Sequence, residues 1–192
     1  MYWHTSKYLT GRWIFLIFLL CGLMRSMPAF GEETYQCRFS SIHYEEPGQL
    51  ERLTQKVQPI AMSLSLKSIL MVNVKPTPEV RAGWCVDQLF QRVQEILGMV
   101  EPDLKVEIRL FRNKAALSEV YEKFTGRPTQ VPAFYCKETN TIYLDLEELS
   151  SGILAHEMAH AVISHFFLID PPEKTCEVLC QYVDREVSQR SF

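Results

Sequence analysis

The sequence predicts an α+β fold: a small mixed sheet with an edge hairpin, packed on a histidine-bearing helix and on the helix that follows it. Three patterns predict it. Leu104, Val106, Ile108 and Leu110 alternate with Lys105, Glu107 and Arg109, which is the period of a half-buried strand. Val131 to Lys137 and Thr141 to Leu146 are short strand-like runs separated by Glu138-Thr139-Asn140, the spacing of a hairpin. Apolar stripes at helical spacing surround them, notably between Thr77 and Gly98 and between Gly152 and Leu168.

In chain order, the first 31 residues have the build of an export signal. Lys7 and Arg12 give a positive start, Trp13 to Met24 an apolar run of 12 residues, and Ala29-Phe30-Gly31 small residues suited to cleavage. A helix that spans a bilayer needs about 20 apolar residues. The expectation is therefore a cleaved signal peptide over 1–31 and a periplasmic or secreted protein, the other reading being an uncleaved membrane anchor over residues 13–24. Glu32 to Tyr44 is mixed, with extended character and no assignable chemistry. Pro47-Gly48 opens a short helix with Leu50, Leu53 and Val57 on one side, ended near Pro59. Ile60 to Val74 fits helix and strand equally, so residues 32–75 form a segment of unassigned structure.

The main domain is expected over 76–192. Thr77 is a good N-cap with Pro78 at the first helical position, the stripe Val86, Leu89, Phe90, Val93, Ile96 and Leu97 follows, and Gly98 suits the stop. After the strand at Leu104 to Leu110, Asn113 caps a helix carrying Ala116, Leu117, Val120, Tyr121 and Phe124, closed by Gly126. Pro132 cannot donate to a ladder, which puts the first hairpin strand at a sheet edge. Ser150 or Ser151 caps the next helix, Pro171-Pro172 breaks the path, and a last helix runs from about Glu173 to Gln189.

With 192 residues and 47% hydrophobic content the chain can bury a full core, and its mildly acidic balance, formal charge −3, offers no case for nucleic acid. Past the expected signal it holds Cys37, Cys85, Cys136, Cys176 and Cys180, an odd number, so at least one thiol is free or pairs outside the chain. Cys176 and Cys180 lie on a helical stripe with Leu179, Val183 and Val187, where a bond between them is geometrically poor and small buried hydrophobes are expected; a bridge from either to another cysteine stays open.

The chemistry concentrates at His156-Glu157-Met158-Ala159-His160, an H-E-x-x-H run in an otherwise greasy helix. His156, His160 and Ser164 drift slowly round one face with Glu157 beside them, while Leu154, Met158, Ala161, Val162 and Phe166 cover the rest. Two buried imidazoles and a carboxylate cost several kcal/mol unless hydrogen-bonded, paired or bound to a cation. Zn²⁺ fits, because residues four apart lie one turn above each other and two ring nitrogens can reach one ion at about 2.0–2.1 Å. Glu157 then stands where a base can take a proton from zinc-activated water.

Further on, Cys176-Glu177-Val178-Leu179-Cys180-Gln181 places Glu177 17 residues after His160. A metzincin would carry glycine three and histidine six residues after His160, where this chain has Ile163 and Phe166, and His165 misses that register by one. The combination resembles the gluzincins, the thermolysin-like zinc metallopeptidases whose third ligand is a glutamate on the next helix, and among them the minimal single-domain members. The resemblance covers roughly residues 104–185 and, outside the H-E-x-x-H run, lies in element order. It implies a zincin-like upper subdomain, one Zn²⁺ per chain held by His156, His160 and Glu177, and Glu157 as general base in peptide-bond hydrolysis. Asp170 and Glu173 are the other acids available as ligand, beside Pro171-Pro172.

A peptide or protein substrate would add to the edge strand at Ala133, Phe134 and Tyr135 through main-chain hydrogen bonds. A membrane enters only if the N-terminal segment stays uncleaved. One departure is Gln181, which stands where the family usually has Asp or Asn orienting a ligand histidine. The family's oxyanion donors come from a downstream domain, and Tyr182 or Tyr135 is the substitute available here. Two other readings keep the zinc: an interaction module whose edge strand binds a partner, and a latent enzyme blocked by residues 32–75 or by a free cysteine.

Overall fold

A mixed sheet of five strands, in the spatial order Glu33–Gln36, Ser40–Tyr44, Val106–Phe111, Thr141–Asp145 and Ala133–Cys136, carries five helices among the described residues. The computed structural model describes residues 31–57 and 76–189; the expected export signal, all but its last residue, and the ambiguous run Ile60 to Val74 lie outside the described residues. The elements are β1 Glu33–Gln36, β2 Ser40–Tyr44, α1 Pro47–Lys56, α2 Pro78–Leu97, β3 Val106–Phe111, α3 Lys114–Thr125, β4 Ala133–Cys136, β5 Thr141–Asp145, α4 Ser151–Phe166 and α5 Glu173–Gln189. The fold class is α+β, as the sequence predicts.

Local chemistry sets the helix ends. Thr77 Oγ1 accepts from Val80 N, Asn113 Oδ1 from Ala116 N at 3.1 Å, and Ser150 Oγ from Ile153 N at 3.2 Å, so Ser150 rather than Ser151 is the cap of α4. Gly98 and Gly126 close α2 and α3 at φ +66° and +70°, a left-handed backbone that suits glycine.

The first residues past Gly31 are extended, as the sequence suggests, and belong to the main sheet. Contacts group Glu32–Phe192 into one unit, in which β1 pairs antiparallel with β2 and β2 pairs parallel with β3, Ile42 lying opposite Ile108. β2 is buried at Ser40, Ser41, Ile42 and Tyr44, so it shows no inside-outside alternation, and its partner strand lies far along the chain. β5 pairs parallel with β3, and β4 pairs antiparallel with β5 at the far edge, where Pro132 predicts it. The hairpin turn spans Lys137 to Asn140, one residue more than the sequence suggests, with Asn140 at φ 49°.

Side-chain alternation divides the sheet. Ile42, Ile108, Ile142 and Leu144 face a core built with α1, α2, α4 and α5, while α3 sets Leu117 against Tyr143 and Cys136 on the other face. Helix α4 is buried through Gly152, Leu154, Ala155, Met158, Ala159, Ala161, Val162 and Ile163. Its last turn departs from the expectation: Phe166 is 43% exposed because the helix has run past the layer it packs against.

The approach of α5 to α4 rests on Gly152. A Cβ there would lie 2.1 Å from Asp184 Oδ1 and 2.2 Å from Ser188 Oγ, the two groups that hydrogen-bond each other at 2.9 Å. Gly152→Leu is expected to destabilise the protein by about 1–3 kcal/mol, the usual range for overpacking, measured by urea unfolding.

Candidate metal centre

Helical geometry brings the two histidines together. His156 and His160, one turn apart on α4, have ring centroids 5.0 Å apart and Nε2 atoms 3.3 Å apart. Glu177 comes from α5, its Oε2 lying 3.7 Å from His156 Nε2 and 3.6 Å from His160 Nε2. Three donors joined to one ion by bonds of about 2.0–2.1 Å in tetrahedral array would stand roughly 3.3–3.4 Å apart. The separations of 3.3, 3.6 and 3.7 Å are close to that edge, so the residues fit a small divalent cation. The Glu177 side chain is 45% exposed and the ring side chains 19% and 29%, so the group opens to the surface.

The electrostatics agree with ligand use. Burial, and then the neighbouring His156, lower the His160 pKa, while Glu177 opposes them, which favours the neutral imidazole that binds a metal. Gln181 Nε2 donates to Glu177 Oε1 at 2.8 Å, leaving Oε2 toward the rings. That differs from the role the family pattern implies, since the amide orients the carboxylate rather than a histidine. It follows from the one-turn spacing of Glu177 and Gln181 on α5.

Glu157 lies beside the trio. Its Oε2 accepts from the backbone N–H of Tyr135 at 2.8 Å. Burial pushes its pKa up to about 7, the Tyr135 amide pulls it down and the Glu177 charge raises it. The folded pKa thus exceeds the unfolded value. The neutral acid's contribution to stability is complete below about pH 4.5 and is lost as pH rises through about 7. In chelator-treated protein, the permanently neutral Glu157→Gln is expected to gain on the order of 3 kcal/mol on wild type between about pH 4 and pH 8, measured by denaturant unfolding at both pH values.

A cleft of about 1160 Å³ runs past these groups, lined by Ala133, Phe134 and Tyr135 of β4 together with His156, Glu157, His160 and Glu177. The Tyr135 N–H points to Glu157 and therefore away from β5, as expected on the free edge of a ladder. Phe134 turns to the opposite face, stacked on Tyr143 at 4.7 Å and edge-on to Tyr121 at 4.9 Å. An ion pair between Lys137 and Asp170 joins the hairpin turn to the α4–α5 loop beside the cleft. Asp170 is thereby engaged elsewhere.

Cys180 was not singled out by the sequence as a metal donor. It lies with His156 and His160 in a group whose donor atoms are all within 4.8 Å of one another, and it is fully buried. Burial, with the Glu157 and Glu177 charges, pushes its thiol up. The stripe on α5 is buried at Cys180, Val183 and Val187, but Cys176 and Leu179 are only half-buried at the margin of the core, so of the two cysteines only Cys180 is the small buried group expected; Cys37, Cys85, Cys136, Cys176 and Cys180 are all free thiols. Of the two tyrosines available as substitute oxyanion donors, Tyr135 gives its hydroxyl to Asn140 Oδ1 at 3.1 Å and Tyr182 lies under Arg185 at 5.7 Å.

The chain matches no protein-family model, no curated protein and no solved structure.

Proposed function

We propose that the chain is an exported, zinc-dependent metallopeptidase of gluzincin type that hydrolyses peptide bonds. The observation that carries the reading is the convergence of His156 Nε2, His160 Nε2 and Glu177 Oε2 from two helices, with Glu157 alongside and a cleft along a sheet edge. The apolar run after Lys7 and Arg12 supports export.

His156, His160 and Glu177 would hold the ion, a ligand set that leaves a coordination position over and is the mark of a hydrolytic rather than a structural site. When bound, zinc supplies a Lewis acid that acidifies water and polarises a carbonyl. The chain's own groups do the rest. Gln181 fixes the Glu177 carboxylate, and the Tyr135 amide fixes one oxygen of Glu157 and leaves the other for proton transfer. Glu157 takes the proton of the attacking water and passes it to the leaving amine, a task suited to a pKa near the working pH. An extended peptide lies along the free edge of β4 at Ala133 to Tyr135.

The test is metal analysis of the purified full chain together with digestion of an unfolded protein. One zinc per chain and chelator-sensitive cleavage are expected. Tight zinc binding with no cleavage across a broad peptide library would favour the interaction module, with the edge strand of β4 as its docking site.

A further inference from the structure

Hydrolysis at such a centre needs three protein donors, and this chain sets a fourth beside them. Cys180 follows Glu177 by three residues, which puts both on adjoining positions of the helix face that packs on α4. Its Sγ stands with the two ring nitrogens in a group where no pair of donor atoms is more than 4.8 Å apart. An N···S edge of a zinc tetrahedron with bonds of about 2.0–2.1 Å and 2.3 Å measures roughly 3.6 Å. Against the two ring nitrogens the difference is an ångström or so at most, within the reach of a cysteine side-chain rotation and a small helix shift. The thiol makes no hydrogen bond among the described residues and is wholly buried, so a metal would meet no competing polar partner.

We infer that Cys180 is an exchangeable fourth ligand of this centre, giving the protein a closed resting form (His156, His160, Glu177 and Cys180 on the metal) and an open working form in which water replaces the thiolate. The inference rests on the proposed metal centre. Closing forms one metal–sulfur bond and breaks one metal–water bond. The thiol proton leaves to Glu157 or to solvent, and no electrons are exchanged. A bound divalent ion deprotonates a coordinating thiol outright. Because Glu177 and Cys180 ride on one helix, a shift of α5 along α4 alters both donors together.

The experiment loads the metal-stripped full chain with Co²⁺ and records its absorption spectrum and metal content. A thiolate-to-cobalt charge-transfer band in the near ultraviolet at one Co²⁺ per chain is expected. The band should vanish in both Cys180→Ser and Cys180→Ala, persist in Cys176→Ser, and strengthen in Glu177→Gln, where a competing anionic donor is gone. Stoichiometric cobalt with no thiolate band in wild type and in Glu177→Gln would overturn Cys180 ligation and leave the peptidase reading intact. A band that survives both Cys180 variants would also overturn it. A chain that binds no cobalt and no zinc would remove the metal centre together with this ligand.

Discussion

Glu157→Gln is expected to lower peptide hydrolysis by about 10²–10⁴-fold, the range for loss of a general base, while zinc content stays at one per chain. Glutamine keeps the shape of the side chain and its acceptor for the Tyr135 N–H, so the floor of the cleft is preserved. What disappears is a group able to accept a proton. Because burial raises the Glu157 pKa, the acid limb of the wild-type pH profile should reflect this carboxyl, with a bound cation drawing the midpoint down. Steady-state cleavage of an unfolded protein, with metal analysis of the same samples, checks both halves. Unchanged activity in the variant would take Glu157 out of the mechanism.

The second large effect concerns the metal itself. Glu177→Ala removes the carboxylate that α5 contributes and leaves two imidazoles with the Cys180 thiol beside them, so zinc affinity is expected to fall well beyond the roughly 10–100-fold that loss of an outer-shell partner causes. Gln181→Ala supplies that comparison. It leaves Glu177 in place but removes the amide that holds Oε1, and about 10–100-fold weaker zinc binding is expected. Competition titration against a zinc-sensitive dye ranks the variants. Equal affinity for Glu177→Ala and wild type would show that the carboxylate faces solvent in solution.

Much of the fold was legible because its signals are local. The caps at Thr77, Asn113 and Ser150, the left-handed stops at Gly98 and Gly126, and the alternation through β3 each depend on a few neighbouring residues. For β1 and β2 only an extended character was legible; their place in the sheet was not, since β2 pairs with β3 across a long stretch of chain and is too uniformly buried to alternate, and β1 joins the sheet through β2. The last turn of α4 misled for a similar reason: an apolar Phe166 says nothing about whether another layer extends far enough to cover it.

The site divides in the same way. His156, Glu157 and His160 announce themselves by spacing within one helix, and Glu177 through the resemblance to the gluzincins, whose third ligand is a glutamate on the next helix. Three other features needed coordinates. The Tyr135 amide is backbone and leaves no trace in residue identity. Gln181 follows Glu177 by one turn, yet which neighbour it bonds is a matter of rotamer. Cys180 sits on a stripe whose period reports burial, and periodicity cannot say that histidines lie across the interface.

Anomalous scattering at the zinc edge, from crystals of the full chain grown with zinc, tests the central claim most directly. The account predicts one peak per chain, about 2 Å from His156 Nε2, His160 Nε2 and a Glu177 oxygen, with Glu157 next to it and not bonded to the ion. No peak between the two rings, or one with the Glu177 carboxylate turned out to water, would contradict it.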